Sequence, residues 1–99
     1  MITGTCVCPG KVEGQIKLFK PGESYNQTDV VVMTNWLTQE VVEAKGAGAL
    51  ISSVGGITSH ASIIARELNV PTLICAQIDS FKEGQKVVID TAEEQVEIQ

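Results

Sequence analysis

Ala47-Gly48-Ala49-Leu50-Ile51, then Gly55-Gly56-Ile57-Thr58-Ser59-His60-Ala61-Ser62-Ile63-Ile64-Ala65-Arg66-Glu67-Leu68-Asn69-Val70-Pro71, then Thr72-Leu73-Ile74-Cys75: the stretch 47–75 decides the fold. Its first segment reads as a short strand buried on both faces. A diglycine follows, then two hydroxyl residues able to cap a helix. An apolar-periodic segment starting at His60 reads as a helix ending near Asn69, because Pro71 cannot continue it. Residues 72–75 read as the next buried strand. Strand, helix and strand in this order form one crossover unit and favour parallel pairing.

The pattern extends upstream. Val30-Val31-Val32-Met33 reads as another strand buried on both faces. Thr34 and Asn35 offer caps for a helix over 36–45, with Leu37, Val41 and Ala44 on one face. Lys45 and Gly46 suit that helix's carboxyl end. The two ends of the chain read as hairpin-like strands: residues 2–8 to a turn at Pro9-Gly10, residues 12–20 to a break at Pro21-Gly22, and strands over 86–90 and 95–98. An α/β domain spanning 1–99, with three β/β/α layers and a central, partly parallel sheet, accommodates both halves.

Composition narrows the function. The chain has 99 residues, 43% hydrophobic and 19% charged, with a formal net charge of −5. Its seven lysines and arginines form no basic cluster, which argues against nucleic acid or an anionic membrane as partner. No apolar run approaches the roughly 20 residues that span a bilayer. The amino terminus lacks the basic and apolar regions of a secretory signal, so a cytoplasmic location is expected. Three cysteines, an odd number, argue against a disulfide framework. Cys6 and Cys8 read as strand residues; one Cys-x-Cys is not a zinc pattern, and neither metal nor cofactor is expected.

His60 is the only histidine, and it stands at a helix start. The first four N–H groups of a helix lack intrahelical partners and, with the helix dipole, favour an anion. Thr58 or Ser59 can cap the helix, leaving the other hydroxyl to face a bound group. Gly55 and Gly56 allow close backbone approach. An uncharged imidazole carries a ring lone pair able to attack phosphorus, so nucleophilic catalysis through a covalent intermediate is the reaction class these residues suggest. Ile63, Ile64 and Leu68 are expected to fill the core, Ala61 and Ala65 to allow close packing on a sheet, and Arg66 to be an exposed helix cation rather than a contact for an anionic partner. Trp36 and Leu37 read as core rather than docking residues.

The run from Gly55 to Pro71 closely resembles the phosphohistidine motif of the phosphoenolpyruvate-utilising enzymes: phosphoenolpyruvate synthase, pyruvate phosphate dikinase and enzyme I of the sugar phosphotransferase system. Cys8-Pro9-Gly10-Lys11-Val12-Glu13-Gly14 is similar to the family's early Ser-Pro-Gly turn, with cysteine for serine. Asp29–Val32 and Gly84–Asp90 resemble its first central and closing strands. The departures are Ser52-Ser53 for a threonine and an acidic residue, Cys75 for a glycine, and Thr91-Ala92-Glu93-Glu94 at the terminal turn.

The resemblance implies a swivelling β/β/α domain, here read as free-standing. By it, His60 would be phosphorylated, Thr58 and Ser59 would assist, and Gly55, Gly56 and Ala61 would line the phosphoryl group. The chain shows neither a nucleotide-binding lobe nor a barrel for phosphoenolpyruvate. A nucleotide-binding or phosphoenolpyruvate/pyruvate-binding partner protein would therefore charge and discharge it, making it a phosphotransferase component of a pyruvate, water dikinase-like half-reaction. The competing expectations are a non-catalytic binding or regulatory module, and a small subunit of a split enzyme using the same docking surface.

Overall fold

The computed structural model describes residues 1–99. The chain runs β1 (Ile2–Thr3), β2 (Thr5–Cys8), β3 (Lys11–Leu18), β4 (Asp29–Met33), α1 (Thr38–Glu43), β5 (Ala49–Ser52), α2 (His60–Glu67), β6 (Thr72–Ile74), β7 (Lys86–Asp90) and β8 (Gln95–Ile98). The strands form one sheet of eight in the order β1-β8-β7-β3-β4-β5-β6-β2. From β3 through β4 and β5 to β6 the pairing is parallel. Every other pairing is antiparallel. The partly parallel sheet expected from the sequence is therefore present, with hairpin-like material at the ends.

Parallel neighbours need crossovers, and α1 and α2 supply them from β4 to β5 and from β5 to β6. All residues of β4 and β5 are buried. Alternation along these strands divides the core in two. Val31, Met33, Leu50 and Ile74 meet Val41, Ala61 and Ala65 of the helices. Val30, Val32, Ile51 and Leu73 meet Val87, Ile89 and Val96 of the terminal strands. The sheet thus folds over itself on one face and carries the helices on the other, which gives the three layers.

The amino-terminal chain ties the two edges together. β1 pairs with β8 at one end of the strand order and β2 with β6 at the other, with only Gly4 between them. A Cβ on Gly4 would lie 2.7 Å from the Ile74 carbonyl oxygen and 2.9 Å from Leu73 Cγ. The edges close only because that residue has no side chain.

Two helix expectations need correction. α1 begins at Thr38, not at 36, and neither Thr34 nor Asn35 caps it; Leu37 takes the N-cap position in an extended conformation with no side-chain cap. The physical reason is Trp36, whose indole is drawn into the layer beside α2 and keeps 34–37 out of the helix. In α2, the residues facing the sheet are Ala61, Ser62 and Ala65. Ile63 and Leu68 are exposed and Ile64 only partly buried, because the helix sits close to the sheet on its small residues. α2 stops where Asn69 takes a left-handed φ of 58°, its N–H bonded to the Arg66 carbonyl.

Candidate functional site

β4, β5 and β6 are parallel and all end on one side of the sheet. The chain from β5 to α2, residues 53–59, leaves from that side and delivers His60 to the first position of α2. His60 is exposed and its ring bonds to no other residue of the chain.

The cap is Ser59, not Thr58. Ser59 has an extended backbone, and its hydroxyl accepts from the Ser62 N–H at 3.3 Å. Ser62 is the hub behind it. Its hydroxyl donates to the Gly56 carbonyl at 2.6 Å and accepts from Trp36 Nε1 at 2.8 Å. With its one proton used, Ser62 can only accept from Ser59 Oγ, 3.1 Å away. The Ser59 proton is thereby committed inside the chain, while the Thr58 side chain is exposed and uncommitted.

The two glycines differ. Gly55 has φ +126°, and a Cβ there would lie 2.7 Å from Trp36 Cδ1. Gly56 would meet nothing within 4 Å, so its missing side chain leaves open space beside the loop. The N–H groups of Gly55, Gly56, Ile57, Thr58, His60 and Ala61 have no acceptor in the chain. Six N–H groups without an acceptor, two of them at the positive end of a helix dipole, favour an anion at this end of α2.

Arg66 is exposed, as expected from sequence, but its guanidinium is bonded to the backbone. Its Nε donates to the Val7 carbonyl at 3.0 Å, and Nη2 donates to the Ile57 carbonyl. The exposed Cys75 thiol, at a left-handed φ of 58°, donates to the Gly55 carbonyl at 3.3 Å. Trp36, read as core, is buried and also bonds through its indole N–H, whereas Leu37, read as core beside it, is exposed because it lies outside the helix at the N-cap. The bonds of Ser62, Arg66 and Cys75 to the loop carbonyls are what site reasoning from sequence misses. For Ser62 a signal existed: a serine on the buried face of a helix, three positions after the cap, needs a polar partner.

Cys6 and Cys8 are separated by a β-bulge and do not form part of this site. Burial pushes the Cys8 thiol up from its ordinary value, the neighbouring Cys6 pushes it further, and Arg66 opposes both. No three His, Cys, Asp or Glu side chains converge anywhere. No helix is long and apolar enough to cross a membrane.

Residues 25–94 match the family model of the PEP-utilising enzyme mobile domain. A probable phosphoenolpyruvate synthase of Archaeoglobus fulgidus is 30% identical over 95 residues, covering 91% of this chain and 13% of its own length. The phosphoenolpyruvate synthase of Neisseria meningitidis serogroup B is 34% identical over 102 residues, covering 90% of this chain and 13% of its own length. The chain thus spans about an eighth of these curated relatives. Among solved structures, an Enzyme I protein superposes with a TM-score of 0.61 at 27% identity, covering 72% of this chain and 30% of that one. The match to the family model takes in most of the chain, His60 and its loop included, and the chain belongs to the family of the PEP-utilising enzyme mobile domain.

Proposed function

We propose that this chain is a phosphocarrier, residues 1–99 acting as one mobile domain in the cytoplasm. His60 accepts a phosphoryl group from one partner protein and gives it to another, in phosphoenolpyruvate- and pyruvate-linked transfer. The observation that carries the reading is the placement of His60: exposed, at the first turn of α2, directly after a loop that, with the helix start, has six N–H groups without an acceptor in the chain. The family match and the phosphoenolpyruvate synthases among its relatives support the choice of chemistry.

The step balances simply. A ring nitrogen lone pair forms the N–P bond while the bond from phosphorus to the donor's leaving oxygen breaks, its electron pair leaving with that oxygen. On delivery an acceptor oxygen attacks phosphorus and the N–P pair returns to the ring. The N–H groups of Gly56 to Thr58 and of His60 and Ala61 offset the charge that arrives. Thr58 has the free hydroxyl for the phosphoryl oxygens, and Ser59 serves through the cap. Gly56 leaves room for the donor. A nucleotide-binding partner and a phosphoenolpyruvate- or pyruvate-binding partner supply the two half-sites. The exposed apolar side chains Val54, Ile57 and Ile63 offer them a surface to dock on.

The test is incubation with ATP-charged and phosphoenolpyruvate-charged partner enzymes, followed by intact mass and acid lability. An acid-labile phosphoryl adduct is expected on the wild type and absent from His60→Ala and His60→Gln. No adduct from either donor, with partner binding unchanged in His60→Ala, would replace this reading with that of a docking module.

A further inference from the structure

Three successive carbonyls of the loop before α2 are each held by a side chain from a different place in the fold. Cys75, after β6, donates to Gly55; Ser62, backed by Trp36, donates to Gly56; Arg66, from the far end of α2, donates to Ile57. In a trans peptide the C=O and the following N–H point in opposite directions. Holding these three carbonyls turns the N–H groups of Gly56, Ile57 and Thr58 away from the donors, and those are N–H groups with no partner in the chain.

Arg66 is the strongest of the three clamps. Its guanidinium is always charged, and charge-assisted bonds are roughly twice as strong as neutral ones. Its planar fork reaches two backbone carbonyls from elements far apart in sequence, Val7 in β2 and Ile57 in the loop. A lysine ammonium, a point charge on a flexible stem, does not reproduce that fork. Cys75 offers a weak donor, and Ser62 a neutral one.

We infer that Arg66 is a positioning residue for the transfer at His60: it fixes the Ile57 carbonyl against β2 so that the Thr58 N–H and its neighbours stay presented to an incoming phosphoryl group. It acts through the backbone and not by touching the phosphoryl group. The inference rests on the phosphocarrier reading for its purpose, but the clamp is measurable without any phosphate.

The experiment has two arms, each using wild type, Arg66→Ala and Arg66→Lys, with thermal melts to establish that each folds. In the first, ¹⁵N relaxation reads the order of the backbone at Gly56, Ile57 and Thr58. Loss of order there in both variants, with β4, β5 and α2 unchanged, is the expected result; unchanged order in both overturns the clamp. In the second, phosphoramidate serves as a small phosphoryl donor and acid-labile adduct at His60 is followed in time. Both variants are expected to be slowed by about tenfold to a hundredfold, the scale of a misplaced catalytic group. Arg66→Lys reacting at the wild-type rate overturns the inference, because a retained charge would then suffice. A wild type that never gains an adduct overturns the carrier reading and Arg66's part in transfer, while the relaxation arm still decides the clamp.

Discussion

Two connections in this molecule have the same topology and different chemistry. After β4, residues 34–37 lead to α1; after β5, residues 53–59 lead to α2. Both leave a fully buried parallel strand on the same side of the sheet and end at a helix N-terminus. α1 has six residues and an uncapped leucine at its start. α2 has eight, a serine cap, and a preceding loop whose carbonyls are bonded one after another to side chains. A helix N-terminus therefore does not make the site. The site needs a loop whose N–H groups are held outward, and that costs residues from several elements. The first connection even contributes to the second: Trp36, which keeps α1 short, is the residue that backs Ser62 and packs against Gly55.

The two glycines give the hardest way to break this contrast. Gly55→Ala combines a left-handed backbone with a 2.7 Å approach to Trp36, so a loss of about 2–4 kcal/mol in stability is expected. Gly56→Ala meets no neighbour and should leave the denaturation midpoint near that of the wild type. Urea unfolding of the two variants side by side checks this. Equal losses would show that the loop is not braced on Trp36 as described.

A smaller effect isolates the bond between the two connections. Trp36→Phe keeps an aromatic ring but removes the indole N–H that Ser62 accepts. A loss of about 1–2 kcal/mol follows for a buried hydrogen bond with one partner deleted. The same variant should raise the mobility of Gly56 in ¹⁵N relaxation, since the Ser62 hydroxyl is then free to turn. Stability loss without that local change would assign Trp36 to packing alone.

How much of this was legible in the sequence follows from range. The crossover strands and helices were readable because buried runs, caps and Pro71 are local signals. His60 and its diglycine were readable for the same reason. The small-residue face of α2 was only half legible: Ala61 and Ala65 allow close approach, but the outward turn of Ile63 and Leu68 depends on how near the sheet lies. The Arg66 fork was not legible, because Val7 is 59 residues away and no local pattern pairs them. Closure of the sheet through Gly4 was hidden likewise, since it depends on both edges at once. The start of α1 was misplaced because Thr34 and Asn35 are good caps locally, and the burial of Trp36 overrides them.

The smallest effects compare the caps themselves. Ser59→Ala should cost about 1 kcal/mol, the usual value of a lost N-cap. The reverse can be built into α1, where Leu37 is exposed at the N-cap position and Glu40 stands three residues later. Leu37→Ser would complete a capping box, its hydroxyl accepting from the Glu40 N–H and the Glu40 carboxylate from the N–H at 37. A gain of about 0.5–1 kcal/mol is expected in urea unfolding. The variant should acquire no phosphoryl adduct at α1 and should leave the rate at His60 unchanged, because Trp36 keeps its place. A changed rate at His60 would mean that the start of α1, and not only its indole, sets the geometry of the neighbouring loop. The two connections would then be one unit, and the asymmetry between them a property of the pair.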